Sequence, residues 1–271
     1  MNINFDSTYL NKFHNSVFGT NSISIFLENC IARLRHKKQI FSYNKKDNIF
    51  EVHEGLIKRK FSNKIRGFTF YRNGIKQRGK FLFSSYCLEN IIFNENDIVI
   101  DCGANIGDLF IGLENLILPS NYIAVEPNPS DFKMLKLNTY NSILINKALG
   151  NQNKILPFYV ATEDGDSSLV EPRKFDKIID ISVVRLDKMI EELKIKKIKL
   201  LKIEAEGYEP EVLEGAGTML EKCEYIAVDG GYERGPSCEQ TFTMITNYLL
   251  NNGFEIKDIY FPWFRGLFIR K

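Results

Sequence analysis

Residues 96–107, which read NDIVIDCGANIG, decide the fold of this chain. Residues 98–100 form a short apolar run behind turn-forming residues, the pattern of a strand buried on both faces. Asp101 ends that strand, a glycine-containing loop follows, and an apolar helix is predicted over residues 109–118. A strand, a glycine turn and a helix in this order form the usual binding loop for a nucleotide-like ligand.

The charges of this loop discriminate between ligands. A dinucleotide fingerprint, G-x-G-x-x-G, lets helix N–H groups face a pyrophosphate. Counted from Gly103, its second and third positions are Asn105 and Asp108, and an aspartate there repels a phosphate. The sequence contains no G-x-x-x-x-G-K-[ST], which excludes a P-loop. Carboxylates on both sides of a tight turn suit a cation, and S-adenosylmethionine (SAM) carries a sulfonium and an ammonium but no phosphate.

A second acidic strand end supports a nucleoside ligand. Residues 122–127, YIAVEP, form another buried strand that ends in Glu126, nineteen residues after Gly107. An acid at this position of a doubly wound fold accepts hydrogen bonds from ribose hydroxyls. Asn128 is then a candidate contact to adenine, or alternatively a turn residue. The sequence therefore predicts a SAM site built from the glycine loop and Glu126.

Composition excludes several other classes of protein. The chain has 271 residues, of which 44% are hydrophobic and 26% charged, with a net charge of +2. These values are typical of a globular protein, and the absence of a basic stripe argues against nucleic-acid binding. No apolar run approaches the roughly 20 residues that span a bilayer, and the N-terminus has no signal-peptide pattern. The five cysteines include no C-x-x-C pair, which argues against zinc. We expect a cytoplasmic protein.

The first 90 residues carry little catalytic signature. Residues 21–35 have helical apolar spacing, and residues 50–83 are rich in β-forming residues. A β-hairpin is predicted around Asn73-Gly74, followed by a helix over residues 86–92. We interpret residues 1–90 as an N-terminal α+β cap and residues 91–271 as a catalytic domain.

From residue 97 onward, strands and helices alternate along the chain. Strands are predicted at residues 98–101, 122–126, 143–148, 198–204 and 225–229, and a closing pair at 255–260 and 266–270. This alternation predicts an α/β, doubly wound, mostly parallel seven-stranded sheet of Rossmann type with an antiparallel C-terminal hairpin. Ligands bind at the carboxyl ends of such strands. The acids at those ends therefore predict the active site: Asp101, Glu126, Glu204, Glu206 and Asp229.

Three segments resemble the FkbM family of SAM-dependent methyltransferases. They are residues 99–107 (VIDCGANIG), 148–150 (ALG) and 201–216 (LKIEAEGYEPEVLEGA). The last segment departs from the family pattern K-I-D-x-E-G at Glu204, where the family usually has aspartate. The loop at residues 229–235, DGGYERG, is similar to members associated with sugar and glycan biosynthesis. The resemblance covers about residues 86–271. It implies a class I SAM methyltransferase that methylates a hydroxyl of a sugar or nucleotide-sugar in capsule or surface-glycan biosynthesis.

The resemblance and the strand-end positions together assign candidate roles. A carboxylate, Glu206 or Asp229, is expected to act as general base, with Glu204 beside them. Alternatively these three acids hold a divalent cation such as Mg²⁺ or Mn²⁺. The candidate cofactor-binding residues are Asp101, Gly103, Ala104, Asn105, Gly107, Asp108, Glu126, Pro127, Asn128 and Ala148.

The candidate acceptor-binding residues are Arg234, Tyr208, Ser167 and Tyr86. For Arg234, a paired hydrogen bond to a phosphate of a nucleotide-sugar competes with an ion pair to a nearby acid. An acidic insert that contains Asp164 and Asp166 is a candidate cover for adenine or acceptor. Lys202, inside the fourth strand, is interpreted as the partner of a carboxylate.

Other functions stay open at this point. The acceptor of a methyltransferase can be an amine, a phosphoramidate or a lipid instead of a sugar. An NAD-binding oxidoreductase is a second class, against which Asn105 and Asp108 argue, and a non-catalytic Rossmann-like protein is a third. The expected partner is a small-molecule or glycan acceptor. The apolar N-terminal helix either forms a homodimer interface or packs on the catalytic domain.

Overall fold

A computed structural model describes residues 21–161 and 167–271 of the chain. The acidic insert residues Asp164 and Asp166 lie outside the described residues. The chain divides into two compact units, Met1–Arg78 and Gly79–Lys271. In the part of the chain that the structure describes, no helix combines the length and the apolar character needed to cross a membrane.

The first unit combines helices with a small antiparallel sheet. Its elements are α1 (Asn21–Leu34), β1 (Ile40–Asn44), β2 (Ile49–Glu54), β3 (Ile57–Phe61) and α2 (Lys64–Tyr71), after which α3 (Ile75–Ser85) leads into the second unit. The three strands pair in the order β1-β2-β3. Phe41, Phe50, Phe61 and Phe68 form an aromatic core in which ring centroids lie 5.1 to 6.5 Å apart. The predicted helix at residues 21–35 is confirmed.

The predicted β-hairpin around Gly74 is wrong. Gly74 has φ +104° and joins two helices, α2 and α3, instead of two strands. Phe68 and Tyr71 are both buried, and their three-residue spacing places them on one face of a helix. The side chain of Asn63 accepts the N–H of Arg66 at 3.1 Å and so caps α2. The predicted helix at residues 86–92 is also wrong, because only the 3₁₀ turn Leu88–Asn90 forms there.

The second unit contains the remaining strands. They are β4 (Val99–Cys102), β5 (Tyr122–Val125), β6 (Ile143–Ile145), β7 (Ala148–Gly150), β8 (Lys154–Val160), β9 (Lys177–Arg185), β10 (Ile198–Ile203), β11 (Cys223–Asp229), β12 (Tyr232–Arg234), β13 (Glu239–Gln240), β14 (Phe254–Tyr260) and β15 (Arg265–Arg270). Seven of them form one sheet in the order β14-β15-β11-β10-β4-β5-β6. The five strands from β11 to β6 are parallel, and β15 is antiparallel to both of its neighbours. The predicted mostly parallel seven-stranded sheet with its C-terminal hairpin is confirmed.

Alternate residues of the central strands face two separate apolar layers. Ile100 and Leu201 pack into one buried cluster, and Val99 and Leu200 pack into the other. Both faces are covered by helices and 3₁₀ turns, which explains the continuous apolar runs in the sequence. The helices are α4 (Phe110–Leu113), α5 (Pro129–Asn138), α6 (Leu186–Glu192), α7 (Glu209–Ala216) and α8 (Phe242–Asn251).

Two predicted elements are shorter than expected. The helix predicted over residues 109–118 is reduced to the single turn of α4. The third strand was predicted over residues 143–148, but β6 ends at Ile145. Ala148 instead begins β7, which pairs with β9 in a second sheet of order β7-β9-β8. Residues 143–150 thus contain two short strands that belong to different sheets, and the apolar periodicity of the sequence does not show where one ends and the next begins.

Candidate active site

The glycine loop after β4 passes close to the loop after β10. Gly103 has φ +75°, and a Cβ there would lie 1.8 Å from the carbonyl oxygen of Glu204. Only glycine permits this approach. The N–H groups of Gly103 and Ala104 both donate to the carbonyl of Val125, at 2.9 and 3.0 Å. The loop is thereby fixed at the carboxyl ends of β4, β5 and β10.

Glu126 organises the side of the site formed by β4 and β5. Its buried carboxylate accepts the N–H of Asn105 at 2.8 Å and the N–H of Asn128 at 2.7 Å. Burial, together with the nearby charge of Asp131, raises the pKa of Glu126 to about 8. In its ionised form this group offers about four lone-pair sites, so it has capacity for ligand hydroxyls beyond the two N–H groups. The predicted cofactor residues Asn105, Glu126 and Asn128 are thus brought together.

Other predicted cofactor residues have structural contacts. Asp101 is buried, accepts the hydroxyl of Tyr122 and lies 3.0 Å from the ammonium of Lys202. Asn128 caps α5 by accepting the N–H of Ser130 at 3.0 Å, which fits the turn interpretation of this residue. Gly107 ends the glycine loop with φ +88°, and the next residue, Asp108, is buried. Pro127 directly follows Glu126. Ala148 is buried in β7, which belongs to the second sheet.

A chain of alternating charges crosses the same edge of the sheet. The ammonium of Lys202 lies 3.0 Å from Asp101 and 3.0 Å from Glu204. The guanidinium of Arg265 lies 2.8 Å from Glu204 and 2.6 Å from Asp229. We call this set the ion ladder: Asp101, Lys202, Glu204, Arg265 and Asp229. It links β4, β10, β11 and β15, and it brings together three of the five predicted acids, Asp101, Glu204 and Asp229, with cations between them.

The ion ladder determines the charge state of its carboxylates. Burial opposes ionisation of Glu204, but Lys202 and Arg265 outweigh it and hold the pKa of Glu204 at about 2. At Asp229 burial dominates and raises the pKa above its usual value, although Arg265 counteracts it. Lys202 also donates to the carbonyl of Gly103 at 3.0 Å, which joins the ladder to the glycine loop. The interpretation of Lys202 as a carboxylate partner agrees with these contacts.

Arg265 is enclosed by its neighbours. Its guanidinium donates to the hydroxyl of Ser85 at 2.7 Å and lies 4.2 Å from the ring centre of Tyr86 and 4.5 Å from that of Trp263. Tyr86 was predicted to bind the acceptor, and the structure places it at the ladder but buries it. Burial raises the pKa of Tyr86 well above its usual value.

The loop after β10 presents Glu206. Gly207 has φ +91°, and a Cβ there would lie 2.6 Å from the Cα of Arg234. The buried carboxylate of Glu209 accepts the N–H of Ala205 at 2.8 Å and that of Gly207 at 3.0 Å. Burial raises the pKa of Glu209 to about 7. These contacts fix the backbone on both sides of Glu206, which itself has φ +50°.

The predicted acceptor residues have varied surroundings. Arg234 forms a two-point ion pair with Glu211, at 2.6 and 3.0 Å, as the alternative interpretation of this residue expected. Tyr208 is buried in the core next to α7. The hydroxyl of Ser167 accepts the N–H of Ala161 at 2.9 Å. These two residues lie on either side of residues 162–166, which are outside the described part of the chain.

The predicted metal ligands do not fit a divalent ion. Glu204 and Asp229 both direct an oxygen at Arg265, so a guanidinium already neutralises the space between them. Within residues 21–161 and 167–271, no group of three His, Cys, Asp or Glu side chains is arranged to hold a metal. The arrangement of these acids therefore does not support a divalent cation here.

Sequence reasoning missed Arg265 and Glu209. Arg265 is the first residue of β15. An arginine among apolar residues at the start of a strand was the available sequence signal for a cation paired with the strand-end acids. Glu209 lies inside the recognised family motif, three residues after Glu206, at the start of a helix. An acid there was open to interpretation as a loop-capping group.

Comparison with solved structures places similar chains among methyltransferases. An FkbM methyltransferase from Methylobacillus flagellatus KT is 17% identical, with a TM-score of 0.47, over 76% of this chain and 53% of that chain. Fibrillarin from Aeropyrum pernix, solved with SAM, is 12% identical over 70% of this chain and 74% of that one, with a TM-score of 0.42. TrmK from M. capricolum, solved with S-adenosylhomocysteine, is 14% identical over 69% and 65%, with a TM-score of 0.40.

The aligned region spans about half the length of the Methylobacillus protein. No curated protein matches the sequence. Residues 101–256, more than half of the chain, match the family described as the methyltransferase FkbM domain. This match covers the glycine loop, Glu126 and most of the ion ladder, and it shows that the chain belongs to the FkbM methyltransferase family.

Proposed function

We propose that this protein transfers a methyl group from SAM to a hydroxyl of a sugar or nucleotide-sugar in surface-glycan biosynthesis. The observation that carries the proposal is Glu126, whose carboxylate bridges the N–H groups of Asn105 and Asn128 at the carboxyl end of β5. A carboxylate in this position suits the ribose hydroxyls of a nucleoside. Membership of a methyltransferase family makes SAM the nucleoside expected there.

The residues at the carboxyl ends of β4 and β5 fit SAM. Glu126 would hold the ribose, and the glycine loop would approach the methionine part. Asp101 is already neutralised by Lys202, so its role is to fix the loop and not to bind the ligand ammonium directly. When bound, SAM supplies an activated methyl group on a sulfonium that leaves as neutral S-adenosylhomocysteine.

The acceptor hydroxyl has to lose a proton as it attacks. Its oxygen forms the bond to the methyl carbon while the carbon–sulfur bond breaks and sulfur keeps the electron pair. Glu206 is the proposed general base, and its carboxylate takes the hydroxyl proton. The support is positional: Glu209 and Ser168 hold the backbone around Glu206, the latter by donating to the Glu206 carbonyl at 2.7 Å. Asp229 is less suited, because Arg265 lies 2.6 Å from it.

The sugar acceptor is proposed from the loop that resembles glycan-modifying members. In the structure this loop includes β12, and its Arg234 is tied to Glu211. A methyltransferase for an amine, phosphoramidate or lipid would bind SAM with the same residues but would bind its acceptor with a different surface. Identification of the methylated product therefore separates these alternatives.

The test supplies SAM with a labelled methyl group and a panel of nucleotide-sugars, followed by mass analysis of the product. We expect label on a sugar hydroxyl and a loss of kcat of about 100-fold or more in Glu206→Gln. Glu221→Gln, an exposed acid at the opposite edge, is the matched control and should retain full activity. Label found only on an amine or lipid, or no transfer to any sugar, contradicts the proposal.

A further inference from the structure

The carboxyl edge of the main sheet has two halves of different chemistry. The half at β4 and β5 carries the glycine loop and Glu126. The half at β10, β11 and β15 carries Glu204, Asp229 and Arg265, and an exposed aromatic side chain, Trp263, lies directly on that arginine. We propose that Trp263 is the surface on which the sugar ring of the acceptor stacks, an inference that rests on the proposed sugar methylation.

The direction of methyl transfer selects this half of the edge for the acceptor. Displacement at the methyl carbon requires the attacking oxygen opposite the leaving sulfur. Since the nucleoside and methionine parts of the donor are assigned to Glu126 and the glycine loop, the acceptor approaches from the remaining half. Trp263 stands there because Arg265, two residues later, pairs in register with Asp229 at the end of β11.

Trp263 is held rigidly while its ring stays accessible. Trp263 is 44% exposed, although the guanidinium of Arg265 lies 4.5 Å from the centre of its ring. The ring of Phe81 packs against it at 5.0 Å with an interplanar angle of 77°. The carbonyl of Phe264 accepts the N–H of Gly230 at 3.1 Å, which fixes this turn to the loop after β11. A preorganised aromatic ring loses little entropy when a ligand packs on it.

The chemistry of a pyranose ring matches this surface. One face of the ring presents C–H groups that pack on an aromatic plane, and its edge presents hydroxyls that need polar partners. Arg265 is neutralised by Glu204 and Asp229, so the support beneath the indole brings no net unpaired cation. Stacking on Trp263 would therefore position a sugar flat on the acceptor half, with the hydroxyls at the edge of its ring free to meet polar groups.

The chain contains one tryptophan, which makes the inference directly measurable. Once the labelled-methyl screen has identified a sugar acceptor, that acceptor is titrated into wild-type protein while tryptophan fluorescence is recorded. We expect saturable quenching or a spectral shift at the concentration that gives half-maximal turnover. Trp263→Ala should raise KM for the acceptor about tenfold with little change in kcat, and Trp263→Phe should restore most of the affinity.

Phe261→Ala is the matched control, since Phe261 is an exposed aromatic residue on the same turn. It should leave KM unchanged, and S-adenosylhomocysteine should bind all three variants with wild-type affinity. If Trp263→Ala leaves the acceptor KM unchanged in an active enzyme, the stacking surface is refuted while the proposed function stands. If the screen yields no methylated sugar, the proposed function fails and this inference falls with it.

Discussion

Glu126 and Glu204 are glutamates that directly follow strands of the same sheet, yet their pKa values move in opposite directions. Burial raises the pKa of Glu126 to about 8, and its hydrogen-bond donors are the neutral N–H groups of Asn105 and Asn128. Glu204 is largely buried too, but Lys202 and Arg265 hold its pKa at about 2. The charge of the partners, and not burial alone, therefore sets the state of each carboxyl group.

This difference divides the edge into two electrostatic environments. The ion ladder carries fixed charges that need no reorganisation during a reaction, the arrangement that favours transition-state stabilisation. The half around Glu126 stays adjustable, because a carboxyl group with a pKa near neutrality can take or release a proton when a ligand binds.

The largest effect is expected from removing the guanidinium that bridges two acids. Arg265→Met leaves Glu204 and Asp229 facing each other without their shared cation, and should lower the free energy of unfolding by about 3–5 kcal/mol. Urea denaturation measures this loss. Arg270→Met is the matched control on the same strand, since Arg270 donates to backbone carbonyls of Cys223 and Leu220. Equal losses of unfolding free energy in both variants would show that pairing with Glu204 and Asp229 gives Arg265 no special contribution to stability.

The contact between the two halves gives the next largest effect. Gly103→Ala places a Cβ against the Glu204 carbonyl in a left-handed conformation, and should cost about 2–3 kcal/mol of unfolding free energy. Gly55→Ala is the control for conformation alone, because Gly55 has φ +64° and no atom within 4 Å of the added Cβ. That variant should lose only about 1 kcal/mol. A Gly103→Ala protein no less stable than Gly55→Ala would mean that the two loops separate freely.

The two glutamates predict opposite pH dependences of stability. The pKa of Glu204 is lowered, so its contribution is present above about pH 4.5 and is lost as pH falls towards 2. The pKa of Glu126 is raised, so its contribution is present below about pH 4.5 and is lost as pH rises towards 8. Each slope should be about 1.4 kcal/mol per pH unit at most.

Unfolding free energies measured across pH 3–5 and pH 6–8 test this contrast. Glu204→Gln should reduce the loss of stability on acidification, and Glu126→Gln should reduce the loss between pH 6 and pH 8, where Glu209 also contributes. Slopes of the same sign for the two groups would contradict the comparison.

The smallest effect concerns the ion pair outside the ladder. Arg234→Lys keeps the charge beside Glu211 but loses the two-point contact, and should cost about 1 kcal/mol in a urea titration. Because the proposed stacking surface lies elsewhere, the acceptor KM should not change. A large rise in KM would return Arg234 to the role of acceptor ligand.

How much the sequence predicts depends on the distance over which residues interact. The sheet follows from local apolar periodicity, so its order of strands and helices and the C-terminal hairpin were predictable. Gly74 marked a turn correctly, but the turn residues did not specify whether helices or strands flank it. Phe68 and Tyr71, three residues apart, carried the helical signal that the Asn-Gly pattern obscured.

The site was predictable in position but not in charge. Strand-end acids converge because parallel strands end at one edge, which the alternation of elements implies. Arg265, however, lies 36 residues from Asp229 and 61 from Glu204 in sequence, and no local pattern connects them. A list of acids therefore suggested a metal site or free bases, whereas the folded chain pairs most of those acids with cations.

The most direct test of the divided edge is calorimetric titration of S-adenosylhomocysteine into the wild type, Glu126→Gln and Glu204→Gln. We expect micromolar binding to the wild type, a loss of at least about tenfold in Glu126→Gln, and nearly unchanged affinity in Glu204→Gln. Wild-type affinity in Glu126→Gln, or no binding to the wild-type protein, would contradict the assignment of the donor to the β4–β5 half.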